Sequence, residues 1–105
     1  MTKQEKHEIW AVALDLNNGK EGRGQMRIND LRCCLAVAED VWRDATGSKA
    51  EGGSCNPCNE CLDWFGWKFN NPRIGERTFE KMNDQEELSH SEIAKIVRNN
   101  WKVIK

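Results

Sequence analysis

Cys55, Cys58 and Cys61 stand three residues apart in the stretch GGSCNPCNECLDWFGW. Three thiolates at that spacing have the makings of a metal site. Structural zinc asks for four ligands, with Zn–S near ~2.3 Å. His90 is the first choice for the fourth, and His7, Cys33, Cys34 and Asp63 are the others. An iron–sulfur cluster has the same need of a fourth ligand. Against both stands the pattern itself, because a strong zinc signature has two separate C-x-x-C pairs, whereas here Cys58 belongs to both. The metal candidates are therefore Cys55, Cys58, Cys61 and His90, and the cofactor is either none or zinc.

Two other readings compete. As a redox pair, Cys55 and Cys58 would sit at a helix N-terminus, whose positive end lowers a thiol pKa. Such a pair needs a buried strand before it, and the preceding A-E-G-G-S is not one. The third reading is burial. If a helix begins at Pro57, then Cys58, Cys61, Leu62 and Phe65 share one apolar face. Free cysteine packs as a small hydrophobe, and this is the reading the residues favour.

Elsewhere the chemistry is thin. The chain has no glycine-rich phosphate loop, no G-x-S-x-G and no H-E-x-x-H. Nothing in the spacing argues for a nucleophilic pair of Cys55 with His90. No enzymatic activity is expected. Arg23, Arg27 and Arg32, with Lys20, make one segment locally basic. Trp64 and Trp67 flank Gly66 at a helix end, and tryptophan is over-represented at binding hot spots. These two tryptophans and three arginines are the expected partner-binding residues. Trp10, Trp42 and Trp101 lie on helical stripes and are expected in the core. The segment L-S-H-S-E-I-A-K-I-V reads like part of a helix-turn-helix. Its outward residues Glu92, Lys95, Arg98 and Asn99 make a mixed face, so DNA is the less favoured partner.

The elements that must position these residues follow from pattern. With 105 residues, 38% hydrophobic and 31% charged, the chain reads as a single domain spanning 1–105. Its net charge of −1 supplies no field for nucleic acid or an anionic membrane. The longest apolar run covers residues 33–38, far short of the ~20 that span a bilayer. The polar N-terminus is not a secretory signal. With five cysteines and no such signal, a reducing cytoplasmic setting is expected.

Thr2 and Glu5 form a capping box for a first helix carrying Ile9, Trp10, Ala13, Leu14 and Leu16. Asn29-Asp30 suggests a small β-hairpin. A second helix is expected over 34–45, with Leu35, Ala38, Val41, Trp42 and Ala45 on its apolar stripe. A flexible loop follows at about 48–54. Asn56 as N-cap and Pro57 open a third helix to Phe65. Residues 69–75 read as turn, and 78–84 as a fourth helix. Ser89 and Glu92 make a second capping box, with Leu88 and Ile93 as its hydrophobic staple, and Ile96, Val97, Trp101 and Ile104 continue that last helix. The fold class is α+β, mainly helical, with about five helices and one small hairpin between the first two.

Seven short motifs occur in order over residues 10–101: Trp10-x-x-x-Leu14, Gly24-Gln25-Met26, Cys33-Cys34-Leu35-x-Val37, Trp64-Phe65-Gly66, Asn71-Pro72, Met82-Asn83-Asp84 and Glu92-Ile93-Ala94. In this ordered set the chain resembles a family of small uncharacterised bacteriophage and prophage proteins. Ala36 departs from the glycine usual there, and the cysteine triplet is not part of the family pattern. The resemblance implies a phage origin and transfers no catalytic residue. It implies an accessory protein of the host cytoplasm that binds a host or phage protein without catalysis, in host takeover or anti-defence. The alternative is a zinc-stabilised nucleic-acid-binding or regulatory module.

Overall fold

A computed structural model describes residues 1–50, 52–53 and 56–105. Both capping boxes form as their residue types require. Thr2 accepts the Glu5 N–H at 3.1 Å and the Glu5 carboxylate accepts the Thr2 N–H at 2.9 Å, which starts α1 (Lys3–Leu16). Ser89 and Glu92 repeat the exchange at the start of α5 (His90–Asn100). Each exchange satisfies two amides that the first helical turn would leave orphaned.

Between them run β1 (Arg27–Ile28), β2 (Leu31–Arg32), α2 (Cys34–Thr46), α3 (Asn59–Phe65), β3 (Arg73–Ile74), β4 (Arg77–Thr78) and α4 (Phe79–Asp84). The expected class holds: five helices, with an antiparallel hairpin between the first two, Arg27 facing Arg32 and Ile28 facing Leu31. Asn29 takes the left-handed turn position at φ 54°, which asparagine tolerates. A second hairpin pairs Arg73 with Thr78 and Ile74 with Arg77. It falls in and just after a stretch read only as turn. Gly75 turns it at φ 62°, and two-residue strands are too short for alternation to show in the sequence.

The core forms where α1 lies on α5 and α2, burying His7, Trp10, Ala11 and Leu14 on one helical face. The first six residues of α2, Cys34 to Glu39, are all buried. This end of α2 is gripped from both sides: the Trp10 indole donates to the Cys34 carbonyl at 3.0 Å, and Asn83 accepts the Cys34 N–H at 3.1 Å. Asn83 also donates to the Gly22 carbonyl at 2.7 Å, and Asp84 accepts the Gly24 N–H at 2.8 Å. Several of the ordered motifs thus converge on one buried frame, and their role there is to hold backbone together.

Four stripe assignments shift. Ala45 is exposed, because α2 leaves the core after Trp42. Leu16, at 83% exposure, points away from the core, as does Ile9. Trp101 is half-buried, since α5 ends before it and it serves as C-cap. Among the described residues no helix is long and apolar enough to cross a membrane.

Candidate functional site: the cysteine corner and its surroundings

The organiser of the cysteine corner is Glu39, whose side chain is wholly buried in the middle of α2. Its carboxylate accepts the Gly52 N–H at 2.9 Å and the Cys58 N–H at 3.0 Å. The Arg27 guanidinium meets it at 2.9 Å and Arg43 approaches to 3.8 Å. A buried charge persists only when paired and hydrogen-bonded, and here both conditions hold. Arg43 also donates to the Ala50 carbonyl at 2.8 Å. The described part of the 48–54 loop is therefore tied to α2 at Ala50 and Gly52. A side chain on Gly52 would strike the backbone of Asn56, Pro57 and Cys58, which accounts for glycine there.

This carboxylate corrects the expected start of the third helix. Asn56 is not its cap and Pro57 is not its first residue. Cys58 is the N-cap, with extended backbone at ψ 159° and no side-chain cap, and α3 begins at Asn59. With its N–H drawn into Glu39, Cys58 stays outside the helix. The missed signal was legible: Glu39 lies four residues after Leu35 and three before Trp42, a carboxylate on the apolar stripe of its helix.

The apolar face expected of α3 is present, with Cys61, Leu62 and Phe65 buried and Cys58 half-buried. Cys33, Cys34, Cys58 and Cys61 are free thiols. Burial raises every one of their pKa values: Cys33 to about 11, Cys34 well above the ordinary range. Cys58 and Cys61 are pushed up first by burial, with the Glu39 charge adding to it. These thiols hold their protons at neutral pH, the opposite of what a nucleophilic thiolate requires. Cys55 lies outside the described residues.

Among the described residues His90 does not join Cys58 and Cys61 in a ligand group. It sits at the N-terminus of α5 against the end of α1, with Nδ1 3.1 Å from the Asn17 carbonyl and 3.8 Å from the Glu21 carboxylate. Among the described residues its Nε2 is buried without a hydrogen-bond partner. Among the described residues no three of His, Cys, Asp and Glu gather as a metal-holding group, so His90 does not complete a set with Cys58 and Cys61.

His7 occupies a different setting. Trp67 Nε1, which can only donate, meets His7 Nε2 at 3.0 Å, so the proton of the neutral ring sits on Nδ1 and goes to the Lys3 carbonyl at 2.7 Å. Burial lowers the His7 pKa from 6.5 to about 4. Trp67 itself is buried, stacked on Phe65 at 4.3 Å with the rings 7° from parallel. Trp64 is half-buried, with the Lys6 ammonium 4.8 Å from its ring centroid.

The arginines of the basic segment are also engaged internally. Arg23 donates to the carbonyls of Asn83, Glu87 and Leu88. Arg27 pairs with Glu39 and Asp40, and Arg32 with Asp40. On α5, Arg98 is paired with Glu8 at 3.1 Å and Asp15 at 2.9 Å.

What the fold leaves outward lies elsewhere. Ile9 (39% exposed), Val12 (45%) and Leu16 form an apolar stripe on the side of α1 opposite its core face. Phe69 and Val103 are exposed near the second hairpin. Compared with protein-family models, with curated proteins and with solved structures, the chain matches none.

Proposed function

We propose that this chain is a phage-type accessory protein that works without catalysis, by binding a host or phage protein in the host cytoplasm. The observation that supports this most is the outer face of α1. Positions 9, 12 and 16 repeat at the three- and four-residue spacing by which one helix seats another. Three exposed aliphatic side chains in line on a helix that already buries its opposite face are more than scattered surface hydrophobes. Glu5, Glu8 and Asp15 flank the stripe, and Arg98 pairs with Glu8 and Asp15. The partner this face suits is an amphipathic helix with basic residues beside its own apolar stripe. The phage assignment and the host-takeover or anti-defence role rest on the resemblance in motif order.

The test is a triple variant, Ile9→Lys, Val12→Glu and Leu16→Glu, whose side chains point into water and should leave the fold intact. A partner recovered with the parent chain is purified and titrated against both proteins. Loss of binding by the variant, with unchanged circular dichroism and melting temperature, is the expected result. Equal binding by both proteins overturns the assignment of the face. A concentration-dependent dimer that the variant abolishes would instead assign the stripe to a second copy.

A further inference from the structure

Five cations gather where the last residues of the chain meet the second hairpin. Lys3 Nζ donates to the carbonyls of Lys102 at 3.5 Å and Ile104 at 3.0 Å. The Lys105 N–H donates to the Arg73 carbonyl at 3.0 Å. These bonds bring Lys3, Arg73, Lys102 and Lys105 together from three separate segments. Lys68 belongs to the same corner: burial, then the charges of Lys105 and Lys68, lower the Lys3 pKa.

Among the described residues none of the five has a carboxylate in ion-pair contact, whereas Arg27, Arg32, Arg77 and Arg98 all do. The nearest carboxylate along the chain from Arg73 is Glu76, exposed in the turn of the second hairpin. Clustered like charges with no side-chain carboxylate in contact are an arrangement that an anion relieves. The cluster also surrounds apolar surface. Phe69 (44% exposed) and Val103 (51%) share one shallow hollow with Arg73, Gly75 and Lys105. The Arg73 guanidinium lies 4.4 Å from the Phe69 ring centroid, so a cation–aromatic stack is already built there. Lys102 sits 5.5 Å from the Trp101 ring in the same way.

We propose that this corner binds single-stranded nucleic acid, a base joining the Phe69–Arg73 stack while Lys68, Lys102 and Lys105 hold the flanking phosphates. A positive groove with an exposed ring is how single strands are gripped without sequence preference. A duplex keeps its base faces stacked inside, and an acidic peptide has no flat face to offer the ring. The chain's net charge of −1 conceals the corner, because carboxylates elsewhere balance it. The inference is independent of the α1 face, and either can fail alone.

The test titrates the full chain onto a labelled oligo-dT of about 12 nucleotides, read by fluorescence anisotropy. Binding is expected at ~50 mM salt and should weaken steeply by ~200 mM, with a log–log slope of about −2 to −3 for three or four phosphates. Phe69→Ala is expected to weaken binding about tenfold with the salt slope unchanged, and Phe69→Trp to restore it. Lys68→Ala or Lys102→Ala should reduce the slope by about 0.7 each. All three positions are exposed, and unchanged melting temperatures check the fold. No binding at low salt overturns the proposal. So does equal affinity for a duplex or for inorganic polyphosphate, or indifference to Phe69→Ala, any of which would leave only a patch of positive charge.

Discussion

The aromatic block around His7 and the carboxylate knot around Glu39 are both closed to water, yet they cohere by different forces. In the block, Trp10, Phe65, Trp67 and Phe79 pack ring against ring, with Trp10 5.1 Å from both Trp67 and Phe79. One neutral imidazole satisfies both of its nitrogens among them. In the knot, a single carboxylate gathers two backbone amides and two guanidinium groups from four separate places in the chain. Apolar packing is spread over many weak contacts, so the block loses stability in proportion to what is cut from it. The knot is directional and charged, so removing its one acceptor strands several donors at once. The block serves the whole fold, and the knot serves one loop and the start of α3.

The largest break in this comparison is expected from Trp10→Ala. It removes the ring at the centre of the block and leaves the Cys34 carbonyl without its donor. Urea unfolding should show a loss of about 3–5 kcal/mol. Acid comes next. Unfolded, the His7 imidazole titrates near 6.5, and folded it titrates near 4. Between those values the unfolded chain takes up a proton that the folded chain refuses, so stability falls as pH drops through this window. By pH ~4 the loss from this residue is roughly 3 kcal/mol. Unfolding curves taken across the window should show it, and His7→Gln should flatten the dependence. His90, also lowered chiefly by burial, contributes in the same direction and should leave a residual slope.

At the knot, Glu39→Gln keeps an acceptor but removes the charge, and a loss of about 1–3 kcal/mol is expected. Its distinguishing mark is local: amide hydrogen exchange at Gly52 and Cys58 should speed up more than that of the amides of α1 and α5. If Glu39→Gln instead loosens the whole chain evenly, the knot is not a separate unit. The smallest effect is expected from Arg98→Ala, which removes the exposed pairs with Glu8 and Asp15. Such surface pairs contribute less than about 1 kcal/mol and weaken further in salt.

The two regions also differ in how far they could be read from residues alone. Trp10 was legible as core because its helix repeats apolar residues at helical spacing. Both capping boxes were legible because a cap is settled by four consecutive residues. The burial of Cys61 followed from the same periodicity. The role of Glu39 did not, because its partners lie 12 residues away on one side and 13 and 19 on the other. Nothing local says that Cys58 will present its amide to it, or that the third helix will begin two residues late. Trp67 shows the same limit. It was expected at a binding surface, and its indole reaches back to His7, sixty residues earlier. The arginines of the first hairpin were legible as a basic segment, and only their distant acceptors turned them into struts.

By itself the sequence determined where the two capping-box helices start, which helix faces are mostly apolar, and that the fold is mainly helical, because caps and periodicity act over a turn or two of chain. The tertiary structure decided which charges are spent inside and which remain for a partner. Arg23, Arg27, Arg32 and Arg98 are engaged by distant carbonyls and carboxylates, while Lys68, Lys102 and Lys105 gather beside the Phe69–Arg73 stack. That sorting depends on what folding brings within a few ångströms, since the strength of a hydrogen bond or an ion pair is set by distance in space rather than along the chain.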